Sequence, residues 1–507
     1  MFSSGKNWFV MRTYQTLIVC VLIGQIACDQ DRRIPRDFML GSGLSSYQYE
    51  GAWNEDGRGP SFWDAELHNP KPKDFVIDNS NADLAADGYH LYKEDIQLVK
   101  DMGLDSLRFS FSWPRILPTG YANKINQAGI DYYNDFIDEL LKYNITPIAT
   151  MYQMDMPAKL LEYGSWTNPA VVDFFLDYVK ILYDNFGDRV KLWITINEPF
   201  IYCYYSYSNI GFPPFLDLSG VGDYICMKNM LIANARAYRL YHKHYRKQQG
   251  GQVGLILLNN WHEPLTNSTD DVEAADDSNK FMNEMFLHAI FSEVGGYPKI
   301  VKQKIDAKSA EQGFPRSRLP PLSESEIKMI KGTADFVGLN SYFTSYVYRN
   351  RSVDDLHHVP SMLNDVYIGF DVDPAALDAS YRFKSVPDSA YKLLMNIKES
   401  YNNPPIYITE NGYTTQGGLD DDDRVEYIND FLNAVLDARE GGCDVRGYNV
   451  WSFIDLFEWK YGYVNKYGLY EVDFSSPNRT RTARKSAHYY KNIATTRTIS
   501  KKVKEIK

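Results

Sequence analysis

Cysteine is scarce in this chain of 507 residues: there are five, and no pair stands at metal-ligand spacing. His-Glu-x-x-His is missing, which removes the usual helical zinc site. Gly-x-Ser-x-Gly is missing too, which leaves a serine hydrolase unsupported. Basic charge is in deficit. With a net charge of −11 and a pI near 5.4, the chain has no electrostatic footprint for nucleic acid and would be repelled by anionic membrane surfaces. No Ser/Pro-rich linker, tandem repeat or sharp shift of composition marks a boundary, so one domain is the simplest organisation. Beyond one N-terminal run, no apolar stretch approaches transmembrane length.

What is present suits a large globular core: 44% hydrophobic and 15% aromatic residues, with too few charges (23%) and too many aromatics for a disordered chain. Met11-Arg12 precedes the apolar run Leu17 to Ala27, too short to span a bilayer and fitting a secretory h-region cleaved near Cys28. Residues 1–28 are therefore expected to be a signal peptide, 29–495 the domain, and the basic segment 496–507 a solvated tail. Four sequons, at Asn144, Asn267, Asn350 and Asn478, agree with a glycosylating route. The expected location is secreted or extracellular, such as a gut lumen or a secretory-pathway compartment. Removing Cys20 and Cys28 with the leader leaves Cys203, Cys226 and Cys443. Cys203 and Cys226 flank a loop rich in Gly, Pro and aromatics and are the candidates for a disulfide; Cys443 reads as a buried free thiol.

Eight short β-type runs alternate with helical patterns: Phe38 to Ser42, Ser106 to Ser110, Thr146 to Met151, Lys191 to Asn197, Val253 to Leu258, Phe336 to Asn340, Ile406 to Thr409 and Arg446 to Trp451. Between them lie amphipathic stretches such as Ile130 to Tyr143, with Ile130, Tyr133, Phe136, Ile137, Leu140 and Leu141 at helical spacing, and Asp423 to Glu440. Strand then helix, eight times, points to an α/β fold, a single (β/α)8 TIM barrel. In that fold the chemistry sits at the C-terminal ends of the strands.

Two carboxylates meet that test. Glu198 ends the fourth run in Trp193-Ile-Thr-Ile-Asn-Glu-Pro199, where Pro199 is expected to stop the ladder and start a loop. Glu410 ends the seventh in Ile406-Tyr-Ile-Thr-Glu-Asn-Gly412, where Gly412 permits a tight turn. Either motif alone reads as a surface glutamate at a strand end. Together, roughly across the barrel mouth, they form the pair that hydrolyses an acetal, one protonating the leaving oxygen while the other attacks or stabilises the anomeric carbon.

With these motifs stand Ser46-Tyr-Gln-Tyr-Glu-Gly-Ala-Trp-Asn-Glu-Asp-Gly57, Arg108-Phe-Ser-Phe-Ser-Trp-Pro-Arg-Ile-Leu-Pro118, Gly338-Leu-Asn-Ser-Tyr-Phe-Thr344 and Trp451-Ser-Phe-Ile-Asp-Leu-Phe-Glu-Trp459. From Pro35 to Tyr490 the chain resembles glycoside hydrolase family 1, and within it the insect β-glucosidase and myrosinase group. The resemblance implies retaining chemistry, with Glu410 as nucleophile, Glu198 as acid and then base, and Arg108 and Tyr342 as partners of the nucleophile. It implies sugar contacts from Gln48, Gln153, Asn197, Trp451, Glu458 and Trp459. It also implies a small-molecule glycoside as the partner, with no metal and no cofactor.

The chain departs from that family at Tyr152-Gln-Met-Asp-Met-Pro157, where Tyr-His-Trp-Asp-Leu-Pro is usual, and at Leu456, a position often polar. Gln153 keeps an amide donor on a longer side chain, and Met154 replaces a flat ring with a flexible thioether that would loosen the wall. Three readings follow: compensated drift within a β-glucosidase, retuned specificity such as a thioglucosidase acting on glucosinolates, and a secreted sugar-binding protein of weak turnover. Retention of Glu198 speaks against the plant type of thioglucosidase, which lacks that acid. Other patterns have local explanations. His242-Lys-His244 reads as a solvated helix face, Gly41-Ser-Gly43 as the first barrel strand, and Asp420 to Asp423 as the N-cap and first turn of a helix.

Overall fold

Each of the eight β-type runs holds one strand of a closed parallel barrel in the computed structural model, which describes residues 31–69, 75–208, 211–352, 359–371 and 387–501. The signal peptide assigned to residues 1–28 lies outside the described residues. The staves are β1 Met39–Gly43, β2 Ser106–Ser110, β3 Thr146–Tyr152, β4 Leu192–Asn197, β5 Gln252–Leu258, β6 Val337–Asn340, β7 Ile406–Asn411 and β8 Val445–Val450. Each pairs in parallel with the next, and β8 closes on β1. This is the (β/α)8 barrel.

The outward faces of the strands bury aromatics against the helices. Trp193 of β4, for example, packs at 5.2 Å from Tyr183 of the helix Ala170–Phe186. Inside the barrel a separate apolar cluster of Ile148, Leu192, Ile194, Ile256, Phe336 and Tyr407 forms a plug. At other inward positions the chain places polar groups that meet one another, as Ser106 Oγ does with Asn449 Oδ1 at 3.1 Å. Gly41 makes that pair possible: a Cβ there would lie 2.1 Å from Ser106 Oγ and 2.3 Å from Asn449 Oδ1. Gly41-Ser-Gly43 is thus barrel strand, with glycine chosen for close approach.

The helix Gln127–Lys142 buries Ile130, Tyr133, Phe136, Ile137 and Leu140, but Leu141 is exposed, one step beyond the edge of the apolar stripe. Asp421 occupies the N-cap of the helix Asp422–Glu440 without capping it, because its carboxylate is taken by Arg424 Nη1 at 2.6 Å and Ser486 Oγ at 2.5 Å. His242 is half-buried, stacked on Tyr238 and bonded to Arg246, so only part of the His-Lys-His run faces solvent. The chain also stays packed beyond residue 495. Thr498–Ile499 pairs antiparallel with Arg32–Arg33, Ile499 is buried, and Arg497 bonds Asp105 and the Phe38 carbonyl. Cys203 and Cys226 are joined, tying the helix Pro199–Tyr207 to the helix Gly222–His244, and Cys443 is a buried free thiol.

A three-stranded sheet absent from the sequence reading borders the barrel mouth. It is built from Trp261–Pro264, Thr344–Arg349 and Ile368–Phe370, just after β5 and β6. Among the described residues no helix is long and apolar enough to cross a membrane.

Candidate active site

Strict alternation would aim Glu410 and Asn197 wrongly. On β7, Tyr407 and Thr409 face the barrel interior while Ile406 and Ile408 join the outer core, so Glu410 would follow the isoleucines outward. The register shifts between Ile408 and Glu410 against β6 and between Ile408 and Asn411 against β8, and this irregularity re-aims the side chain into the mouth. Strand β4 does the same. Leu192 and Ile194 point in and Thr195 points out to Asn234, and a shift between Ile194 and Asn197 turns Asn197 inward. Glu198 follows in the left-handed region at φ 47° and ψ 55°, a conformation uncommon for a non-glycine residue and concentrated at functional sites. Pro199 then opens the helix Pro199–Tyr207 as its first residue, where the missing N–H costs nothing; it does not start a loop. Gly412 is required by close approach: a Cβ there would lie 2.0 Å from the Trp451 carbonyl oxygen.

Arg108, fully buried on β2, organises the floor. It donates through Nη1 to Glu410, through Nη2 to Gln153 Oε1 at 2.7 Å and Asn197 Oδ1 at 2.9 Å, and through Nε to Thr150 Oγ1 at 3.1 Å. The Tyr342 hydroxyl donates to the other oxygen of Glu410. Burial raises the Tyr342 phenol well above its ordinary range, with the charges of Glu410 and Glu198 adding to the effect, so it remains a donor. Two donors, one of them cationic, suit an anionic carboxylate.

Glu198 sits differently. It accepts one hydrogen bond, from Asn340 Nδ2 at 2.5 Å, and Asn340 is oriented by Thr409 Oγ1 donating to its Oδ1 at 2.8 Å. Burial and then the like charge of Glu410 push the Glu198 carboxyl up to about 8, against smaller opposing effects of Asn340 and Arg108. Glu458 is also pushed up to about 8, by burial and then by Glu410 and Glu198. Three carboxyls facing one guanidinium in a small cavity cannot all ionise cheaply. An ionised Glu458 would only accept hydrogen bonds. Near neutral pH the carboxyl also has a proton to give, while one oxygen accepts from Gln48 Nε2 at 3.1 Å.

The cleft is open at its mouth and, counted out into that open space, spans about 990 Å3. Gln48, Gln153, Asn197, Glu198, Glu410 and Glu458 converge in it with Tyr342, Trp451 and Trp459, so the expected residues come together. Gln153 is constrained: arginine only donates, so Oε1 must face Arg108 and only the NH2 is free for the cleft. Met154 is buried in the wall of the cleft at φ 57°, and Leu456 is buried in the core. Cys203 lies outside the cleft, in the main core. Among the sequons Asn144, Asn267 and Asn478 are exposed, and Asn350 is half-buried with its Oδ1 accepting from Ser352.

Sequence reasoning missed Asn340 and Asp155. Asn340 could have been found, since it ends β6 and so meets the strand-end test applied to the glutamates. Asp155 is fully buried behind Gln153, bonded to Ser46 Oγ at 3.0 Å and pushed up to about 8 by burial; no pattern in the chain announces this. The outer wall, with Asn260, His262, Asn283 and Ser345, was missed as well.

Two carboxyls with unlike hydrogen-bond partners, over a pocket of polar groups and tryptophans, form an arrangement able to cleave an acetal by acid and nucleophile. Known proteins are similar to this chain in sequence and in fold. Myrosinase 1 of Brevicoryne brassicae is 42% identical over 470 residues, covering 92% of this chain and 99% of that one. The solved structure of aphid myrosinase superposes with a TM-score of 0.85 at 41% identity, covering 93% of this chain and 100% of the other. A rice β-glucosidase mutant solved in a covalent complex with Glc gives a TM-score of 0.82 at 36% identity, covering 90% of this chain and 98% of the other. The sequence pattern of Glycosyl hydrolase family 1 matches residues 30–499, and the chain belongs to that family.

Proposed function

We propose that this enzyme hydrolyses β-glucosides with retention of configuration, with Glu410 as nucleophile and Glu198 as acid and then base. Glu410 attacks the anomeric carbon as the bond to the aglycone oxygen breaks, and Glu198 delivers its proton to that oxygen. A glucosyl ester on Glu410 results. Glu198, now ionised, takes a proton from water, and the water oxygen displaces Glu410. Arg108 and Tyr342 stabilise the carboxylate as it leaves, and Asn197 and Gln153 are placed to hold ring hydroxyls. The observation that carries the proposal is the asymmetry of the pair: Glu198 is held protonated near neutral pH, while Glu410 receives two strong donors. The covalent glucose complex of the rice relative supports the intermediate.

The test is the anomer released first from phenyl β-glucoside, followed by proton NMR before mutarotation. β-Glucose is expected, and α-glucose would exclude the double displacement. Because the acid must be protonated to act and its carboxyl is held near 8, the alkaline limb of kcat/KM is expected to fall tenfold per unit above that pH, while an acid limb reports protonation of the nucleophile. An alkaline limb that begins near pH 5 would move the acid role away from Glu198.

A thioglucosidase is the second reading, supported by the 42% identity to Myrosinase 1; glucosinolates in the same substrate panel separate the two. The N-terminal apolar run and the exposed Asn144, Asn267 and Asn478 support a secreted glycoprotein. Gln153→His is expected to raise kcat/KM on phenyl β-glucoside by about threefold to tenfold, since a neutral imidazole accepts from Arg108 and donates from a more rigid side chain. An unchanged value would mark Gln153 as a compensated replacement.

A further inference from the structure

The outer half of the cleft has two unlike walls. On one side Phe200, Ile201, Tyr205 and Phe212 present apolar and aromatic surface. On the other, Asn260, His262, Asn283 and Ser345 line the cleft, each at least nine-tenths buried and each with one polar atom unused by the protein. The four are neighbours. His262 pairs with Ser345 across two parallel strands, His262 N donates to Asn279 Oδ1, and Asn283 Nδ2 donates to that oxygen and to the Asn260 carbonyl.

The hydrogen bonds already made decide which atoms remain. Asn260 Oδ1 accepts from the Tyr342 and Phe343 backbone N–H groups, which leaves Nδ2 as a free donor. Asn283 donates twice through Nδ2, which leaves Oδ1 as a free acceptor. The His262 Nδ1 lies 2.6 Å from Ser278 Oγ. Ser278 Oγ donates to Met282 Sδ at 3.7 Å, so it accepts from the imidazole; the ring proton then sits on Nδ1 and Nε2 keeps its lone pair. Burial lowers the His262 pKa to about 3, so the ring is neutral across the working range. Ser345 Oγ can act either way. None of these four free atoms is sealed off from solvent, so they open on the cleft.

We propose that this wall is an aglycone subsite for an uncharged ring bearing hydroxyl groups, read by His262, Asn260, Asn283 and Ser345 while the opposite wall stacks on the ring face. The inference rests on the glucosidase reading and narrows its substrate. One donor, two acceptors and one group of both kinds match hydroxyls, which also donate and accept. A sulfate only accepts; it would meet the lone pairs of His262 Nε2 and Asn283 Oδ1, and no Lys or Arg stands among the described lining residues. A second sugar and a hydroxylated aromatic share the required chemistry.

The experiment measures kcat/KM for cellobiose, 2-(hydroxymethyl)phenyl β-glucoside and phenyl β-glucoside in the unaltered protein, His262→Phe and Ser345→Ala. In His262→Phe the ratio of at least one hydroxyl-bearing substrate to phenyl β-glucoside is expected to fall about tenfold, the worth of one hydrogen bond. The substrate that loses more identifies the source, sugar or aromatic. Ser345→Ala, a smaller change, is expected to shift the same ratio in the same direction and decides the matter if His262→Phe does not fold. Equal losses on all three substrates, or none, overturn the subsite. Failure of the unaltered protein to cleave phenyl β-glucoside would instead overturn the glucosidase reading beneath it.

Discussion

Glu410→Ala is expected to lower kcat on phenyl β-glucoside by about 10^4-fold or more, some 5.5 kcal/mol of transition-state stabilisation. The loss has a diagnostic rescue. With the carboxylate gone, a small anion such as azide can occupy its space and attack the same face of the anomeric carbon, giving α-glucosyl azide by a single displacement. Alanine also leaves the buried guanidinium of Arg108 without its main counter-charge, a cost of about 3–5 kcal/mol for a broken buried pair. Glu410→Gln retains an oxygen for Nη1 and is expected to be equally inactive but to melt higher than Glu410→Ala. Substantial residual turnover in both variants, with melting curves near that of the unaltered protein, would remove Glu410 from the nucleophile's role.

Glu198→Ala should lose about 10^2- to 10^4-fold on phenyl β-glucoside, the usual worth of a positioned general acid. The loss should depend on the leaving group. Dinitrophenolate departs without a proton, so formation of the glucosyl ester on Glu410 survives with dinitrophenyl β-glucoside, and its hydrolysis becomes the slow step. Azide then accelerates that step and yields β-glucosyl azide, the opposite anomer to the one rescued in Glu410→Ala. The sign of the pH effect follows from the raised carboxyl. Glu198 is protonated below about 8, the acid is available there, and activity falls above it; in Glu198→Ala that limb should disappear. An alkaline limb that persists unchanged in the variant would assign it to another group, for which the equally raised Glu458 is the first candidate.

Much of this was legible in the chain because the signals are local. Eight apolar runs of strand length, each followed by a helical pattern, give the barrel, and all eight strands lie within two residues of the expected bounds. The strand-end test picked Glu198 and Glu410 out of 65 acidic residues, and applied to the sixth strand it would also have found Asn340. The strand edges were harder: Pro199 reads as the start of a loop, yet it is the first residue of a helix. The C-terminal segment reads as a tail because its composition is basic, yet Arg497 finds Asp105 some 390 residues away.

By itself the sequence determined the barrel, the two glutamates and the departure at Gln153, since residue identity and short-range periodicity specify them. The tertiary structure decided how those groups work. Register shifts in β4 and β7 turn Asn197 and Glu410 inward against simple alternation. Arg108 spends one arm on Gln153 and so leaves only its amide NH2 for a sugar. Pairing of His262 with Ser345, 83 positions apart, assembles a hydroxyl-reading wall. Each depends on closing the barrel: only then are side chains from distant strands near enough to exchange hydrogen bonds, and dry enough for one carboxyl to hold its proton beside another.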